Sequence, residues 1–161
     1  MTYTIRNIRK SEYALLYDFL YEAIFIPEGA VPPPRSIITS PDLQIYVEHF
    51  GEQKDDFGLV AETDGKVVGA VWVRIMDDYG HIDDQTPSFA ISLFKEYRGL
   101  GIGTALMRSM LTLLKDRGYK RASLAVQKEN YAVNMYRQAG FLVVEERGEE
   151  FIMVNDLEGF Q

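Results

Sequence analysis

The chain has 161 residues, enough for one domain with a single sizeable core, and 47% hydrophobic with 25% charged residues places it among folded globular proteins. It has no cysteine, which excludes disulfides, a cysteine nucleophile and thiolate metal sites, and His49 and His81 stand apart without metal-ligand spacing, so no metal is expected. Seventeen basic against 24 acidic residues leave a net charge of -7, which disfavours nucleic acid and suits a cationic partner.

The opening MTYTIRNIRK lacks the apolar core of a secretion signal, and no later window reaches the ~18 uninterrupted apolar residues of a membrane span. The expected location is the cytoplasm, with no membrane partner. Residues 4–9 alternate Ile5 and Ile8 imperfectly and predict a first strand. Ser11 offers an N-cap to the apolar stripe Leu15, Leu16, Phe19, Leu20, Ala23 and Ile24, a helix that stops before Pro27. Pro27, Gly29 and the run Pro32, Pro33, Pro34 hold the next stretch extended, because proline lacks a donor and disfavours helical dihedrals in the residue before it. Ser40 followed by Pro41 predicts a second helix, reaching about Phe50. Residues 57–62 and 66–76 read as antiparallel strands joined by the hairpin signal Asp64-Gly65. The polar stretch DDYGHIDDQTP, residues 77–87, carries four aspartates and is either a solvated loop or an acidic lip over a site.

The densest signal follows. Residues 88–93 predict a strand in which Ile91 and Leu93 share a face, with Ser92 opposite. Glycines 99, 101 and 103 then let the backbone turn tightly and lie close to a ligand. From Ile102, the residues Ala105, Leu106, Met110, Leu113 and Leu114 recur at helical spacing. The first amides of that helix have no partner within it and its dipole makes that end partly positive, so strand, loop and helix form an anion site beside Arg98. A glycine-rich connection that merely turns a strand into a helix would look the same. Neither GxxxxGK[ST] nor GxGxxG is present. Gly118, after Lys115 and Arg117, closes the helix. Residues 121–126 predict a strand with Leu124 and Val126 facing one way. A short helix over 130–139 ends at Gly140, and 141–146 and 150–156 form a final hairpin around Gly148. No repeat or low-complexity linker divides the chain.

Arg98, Gly101 and Gly103 match R/QxxGxG/A, the pyrophosphate loop of the GNAT superfamily of N-acetyltransferases. NYAVNMYRQAGF matches that family's NxAxxxY and following glycine-aromatic pair, at Asn130, Ala132, Tyr136, Gly140 and Phe141. The chain resembles GNAT proteins over residues 57–154; its first third matches only in element order. The resemblance implies a single acetyltransferase domain over residues 1–161, of α/β class, with a mixed, mostly antiparallel sheet of about seven strands flanked by about four helices. The strands carrying Leu93 and Val126 would run parallel and splay apart around acetyl-CoA, the implied co-substrate. Its pyrophosphate would lie on Arg98, Gly99, Leu100, Gly101, Ile102, Gly103 and Thr104, and its pantetheine on the backbone of Ile91 and Leu93 and on Asn130. The Leu93 amide would donate to the thioester oxygen, and Tyr136 would protonate the leaving thiolate. Plainer roles for these last residues are a core tyrosine at Tyr136 and a helix cap at Asn130.

Transfer to an amine needs the neutral form, yet an aliphatic amine of pKa ~10.4 is only about 0.04% neutral at pH 7. Ribosomal-protein alanine acetyltransferases, which the chain resembles in its motif blocks, carry a glutamate where this sequence has Ala125. That departure argues against the same substrate class and leaves the base open among Glu28, Asp83, Asp84 and water. By resemblance the loop at Pro27 borders the acceptor site. With four aspartates in residues 77–87 and an acidic net charge, it points to a small cationic or amino-acid-like amine, handled by a monomer or homodimer. The alternatives are a module that holds acyl-CoA without turnover, and an enzyme that acetylates protein amino groups. Retention of both RGLGIG and Tyr136 favours an enzyme.

Overall fold

Apolar runs bounded by turn residues make seven strands among the described residues: β1 Thr4–Asn7, β2 Phe57–Thr63, β3 Lys66–Arg74, β4 Ser88–Leu93, β5 Arg121–Gln127, β6 Phe141–Arg147 and β7 Glu150–Asp156. Four α-helices accompany them: α1 Leu15–Ala23, α2 Pro41–Gln44, α3 Ile102–Asp116 and α4 Ala132–Gln138. The computed structural model describes residues 2–159. The strands form one sheet in the order β1-β2-β3-β4-β5-β7-β6, antiparallel throughout except for β4 against β5. The expected mixed, mostly antiparallel sheet with four helices is therefore the observed architecture.

Because side chains alternate across a strand, β3 feeds two cores. Val71 and Val73 pack under α3 with Leu106, Met107, Met110, Leu111 and Leu114, while Ala70 and Trp72 pack on the other face with Leu16, Phe19 and Leu20 of α1. The hairpin between β2 and β3 turns at Asp64 and Gly65, both with positive φ (51° and 76°), as the type of turn favoured between twisted strands requires. Gly118, at φ 88°, ends α3, and the Tyr119 amide returns to the Leu114 carbonyl at 3.0 Å.

Two predicted helix boundaries move. Ser11 caps nothing; it lies in a 3-10 turn, Lys10–Glu12, where the Glu12 carboxylate accepts from the Arg9 amide at 2.8 Å and from Arg6, so α1 starts only at Leu15. The second helix stops after one turn, at Gln44, instead of reaching Phe50. The carbonyls that would continue it are taken by a buried cation: Arg74 donates to Ile45 O at 3.0 Å and to Glu48 O at 2.6 Å, and His49 turns to φ 55°.

The parallel pair positions the site. β4 and β5 meet only at Ser88 and Ser123, where the Ser123 amide donates to Pro87 O at 2.9 Å. Beyond that point they part, leaving a gap at their C-terminal ends. The closed end is pinned by the stretch after β3: Ser88 Oγ donates to Asp78 at 2.9 Å and Ser123 Oγ to Gly80 O at 2.7 Å. A Cβ on Gly80 would stand 2.9 Å from the Leu124 backbone, so only glycine lets this loop lie against β5.

Candidate active site

In an antiparallel pair, alternate residues turn their N–H and C=O to opposite edges of the strand. The Phe94 amide donates to Val68 O on the β3 side at 3.0 Å, so Leu93 and Ile91 turn theirs the other way, into the gap. The Leu93 side chain sits over Gly69 of β3, where a Cβ would lie 2.2 Å from its Cδ2, and reaches Gly103 at the start of α3. β4 and the glycine loop are thereby locked together.

The loop itself fits an anion. Gly99 and Gly101 have φ of 76° and 87°, and a Cβ built on either would meet nothing within 4 Å, so the backbone is bare toward solvent. The first backbone bond into α3 is Ala105 N to Gly101 O at 3.2 Å. Amides of residues 99–104 therefore have no backbone partner among the described residues, and they crown a helix of 15 residues. Arg98 is engaged: Nε donates to Leu93 O at 3.1 Å, and Nη2 to Glu22 O at 3.2 Å and Glu22 Oε2 at 3.0 Å. It ties the loop to β4 and α1, and its charge is shared with Glu22.

On the other side of the gap, Tyr136 of α4 packs edge-on against Phe141, with ring centroids 6.0 Å apart, and its phenol is pushed up to about 12 by burial. Asn130 Oδ1 accepts from the Ala132 amide at 2.9 Å, in the turn that leads into α4, while its Nδ2 has no hydrogen bond among the described residues. Both side chains line a cavity of about 470 Å³ that continues from the gap between α1, α2 and the loop after β3.

A sequence model of the Acetyltransferase (GNAT) family matches residues 19–141. The chain belongs to this GNAT family. Among curated relatives, an N-alpha-acetyltransferase of Sulfurisphaera tokodaii is 34% identical over 105 residues, covering 60% of this chain and 62% of that protein. A mycothiol acetyltransferase of Cellulomonas flavigena is 34% identical over 116 residues, covering 68% of this chain and 33% of its own length. The chain thus spans between about a third and three-fifths of the length of these relatives. The PaiA N-acetyltransferase of Thermoplasma acidophilum, solved with coenzyme A, has the same fold: TM-score 0.72 at 20% identity, covering 97% of this chain and 99% of that one.

Within this GNAT frame the candidate acceptor residues separate. Asp83 pairs with Arg121, the first residue of β5, at the closed end, and Asp84 is exposed beyond it. Glu28 is exposed on the proline loop. None of the three lines the cavity; Asp42 and Glu150 do, with Tyr46 and Tyr79. The Tyr79 hydroxyl donates to Asp42, which holds that carboxyl below its ordinary range and pushes the phenol up to about 12. Tyr46 Oη donates to Asp78 at 2.9 Å, and burial pushes both of those groups up. Sequence reasoning missed this wall because its members come from α2, the loop after β3 and the start of β7, with no local motif joining them.

Proposed function

We propose that the chain is an acetyl-CoA-dependent N-acetyltransferase that moves an acetyl group directly onto a small cationic amine. The observation that carries the acceptor class is the cavity lining: two carboxylates, Asp42 and Glu150, and no lysine, arginine or histidine among the described residues. Such a wall attracts an ammonium and offers no positive charge to an acceptor's carboxylate, which favours a cationic amine over an amino acid. The cavity volume of about 470 Å³ suits a small molecule better than a folded protein surface.

Bound acetyl-CoA supplies an activated thioester acetyl group. Residues 99–104 would hold its pyrophosphate on their free amides, and remote binding energy spent there places the acyl end in the gap. The N–H of Leu93 is oriented to stabilise negative charge on the acyl oxygen without reorganisation. Tyr136 Oη would give a proton to the departing sulfur. Against an ordinary thiol of pKa ~8.5, a phenol near 12 is about 5 kcal/mol uphill, so the transfer requires the same burial to raise the sulfur's proton affinity.

Tyr136→Phe is expected to leave coenzyme affinity unchanged and lower kcat about a hundredfold. Because the phenol stays protonated until about pH 12, the wild-type rate should show no loss from Tyr136 below pH 11. A kcat that survives the substitution makes Tyr136 a packing residue only. The acceptor proposal is tested by thiol release with diamines, amino acids and N-terminal peptides at two salt concentrations. Diamines should lead, with kcat/KM falling as salt rises. A preference for peptides rejects the small-acceptor class, and tight coenzyme binding without turnover on any amine rejects the enzyme in favour of a binding module.

A further inference from the structure

Two carboxylates, Asp42 and Glu150, line the cavity, and a third, Asp78, lies behind Tyr46; Asp42 and Asp78 are committed. Asp78 accepts from Tyr46 and Ser88 at the closed end of the strands, and Asp42 accepts from Tyr79. Glu150 is not. It opens β7 directly opposite Gln127, the last residue of β5, and opposite residues of an antiparallel pair share a face. Ala125 lies on that face too, two residues back, so Glu150 stands diagonally across from its methyl group at about 7–8 Å. Both line the cavity, and the small side chain of Ala125 leaves the space between them open. The Glu150 carboxylate makes no hydrogen bond or ion pair among the described residues, although it is half-buried.

We propose that Glu150 binds the acceptor's ammonium and is the base that takes its proton. This rests on the cationic-amine function proposed above. Glu150 accepts one proton from the ammonium, and the freed nitrogen lone pair forms the C–N bond as the C–S bond breaks. Tyr136 protonates the sulfur and is itself restored by the second proton the nitrogen gives up. Glu150 passes the first proton to solvent. Ammonium and thioester thus become amide, thiol and one free proton.

The surroundings suit that role. Burial raises the Glu150 carboxyl above its ordinary range, making it a better base than Asp42, and Arg147 of β6 pulls it back only in part. Tyr46 and Tyr79, from the turns after α2 and β3, face it as protonated phenols; Asp78 stands behind Tyr46, and Gln127 opposite is neutral. The acid limb of kcat/KM for a cationic amine therefore belongs to Glu150 and lies above the usual carboxylate pKa.

The test uses the full chain with acetyl-CoA and two small amines, diaminobutane, cationic at pH 7, and trifluoroethylamine, largely neutral there. Glu150→Gln should lower kcat/KM for diaminobutane about a hundredfold or more and for trifluoroethylamine less than about tenfold. It should also erase the acid limb of the diaminobutane profile, and Glu150→Asp should restore part of both. A variant that slows both amines alike, slows neither, or keeps the acid limb overturns the assignment to Glu150. A wild-type chain that releases thiol with peptides but with neither amine overturns the cationic-amine function and Glu150's role with it, a failure visible before any substitution is made.

Discussion

Gly101→Glu is expected to raise the coenzyme dissociation constant more than about a hundredfold. Gly101 occupies the left-handed region at φ 87° and precedes the first residue of α3, so its backbone lies where the loop's free amides converge. A unit negative charge ~4 Å from a phosphate oxygen costs about 4 kcal/mol at an effective dielectric of 20, and a hundredfold loss needs only about 2.7 kcal/mol. Gly101→Ala is the control. A methyl group there meets nothing within 4 Å, so its cost is the left-handed conformation alone, about 1–2 kcal/mol, with no charge repulsion. Titration calorimetry with coenzyme A should separate the two variants by more than tenfold. Equal affinities for both would remove the pyrophosphate from this loop.

What was legible in the sequence was local. Asp64-Gly65 announces its hairpin because both residues adopt positive φ, and the glycines at 99 and 101 announce the bare loop for the same reason. The central strands β2 and β3 follow from apolar runs buried on both faces and joined by a two-residue turn. The end of α2 was illegible because it is set by Arg74, a side chain 30 positions after Gln44 that withdraws the carbonyls of the next turn. The aspartates of residues 77–87 show the same limit. Adjacent in sequence, they divide between a buried anchor at Asp78, an ion pair with Arg121 at Asp83 and solvent at Asp84, because a loop crossing the closed end of two strands points successive side chains in unrelated directions. Glu150 could be found only through register. Its place opposite Gln127 depends on how β7 pairs with β5, and a slip of one residue would put it on the other face.

Arg74→Ala is expected to destabilise the fold by about 3–5 kcal/mol, since removing one partner of a buried ion pair strands the other. The Arg74 and Asp56 side chains are 4% and 0% exposed, and Arg74 Nε meets Asp56 Oδ1 at 3.0 Å. For a domain of this size, that loss lowers Tm by roughly 6–20 °C. The damage should also reach the acceptor wall. Arg74 holds the carbonyls of Ile45 and Glu48, Trp72 Nε1 holds the carbonyl of Tyr46 between them at 2.9 Å, and the Tyr46 hydroxyl leads on to Asp78. KM for the amine should therefore rise more than the coenzyme dissociation constant, which depends on a loop with no contact to Arg74. The double variant Arg74→Met with Asp56→Leu removes both charges and should recover only part of the lost stability, because no unpaired ion remains buried but the carbonyls of Ile45 and Glu48 and the Gly51 amide lose their partners. Thermal unfolding of the single and double variants decides the matter: a single variant that loses less than about 1 kcal/mol, or a double variant no better than the single, would mean that the buried pair is not what holds this turn in place.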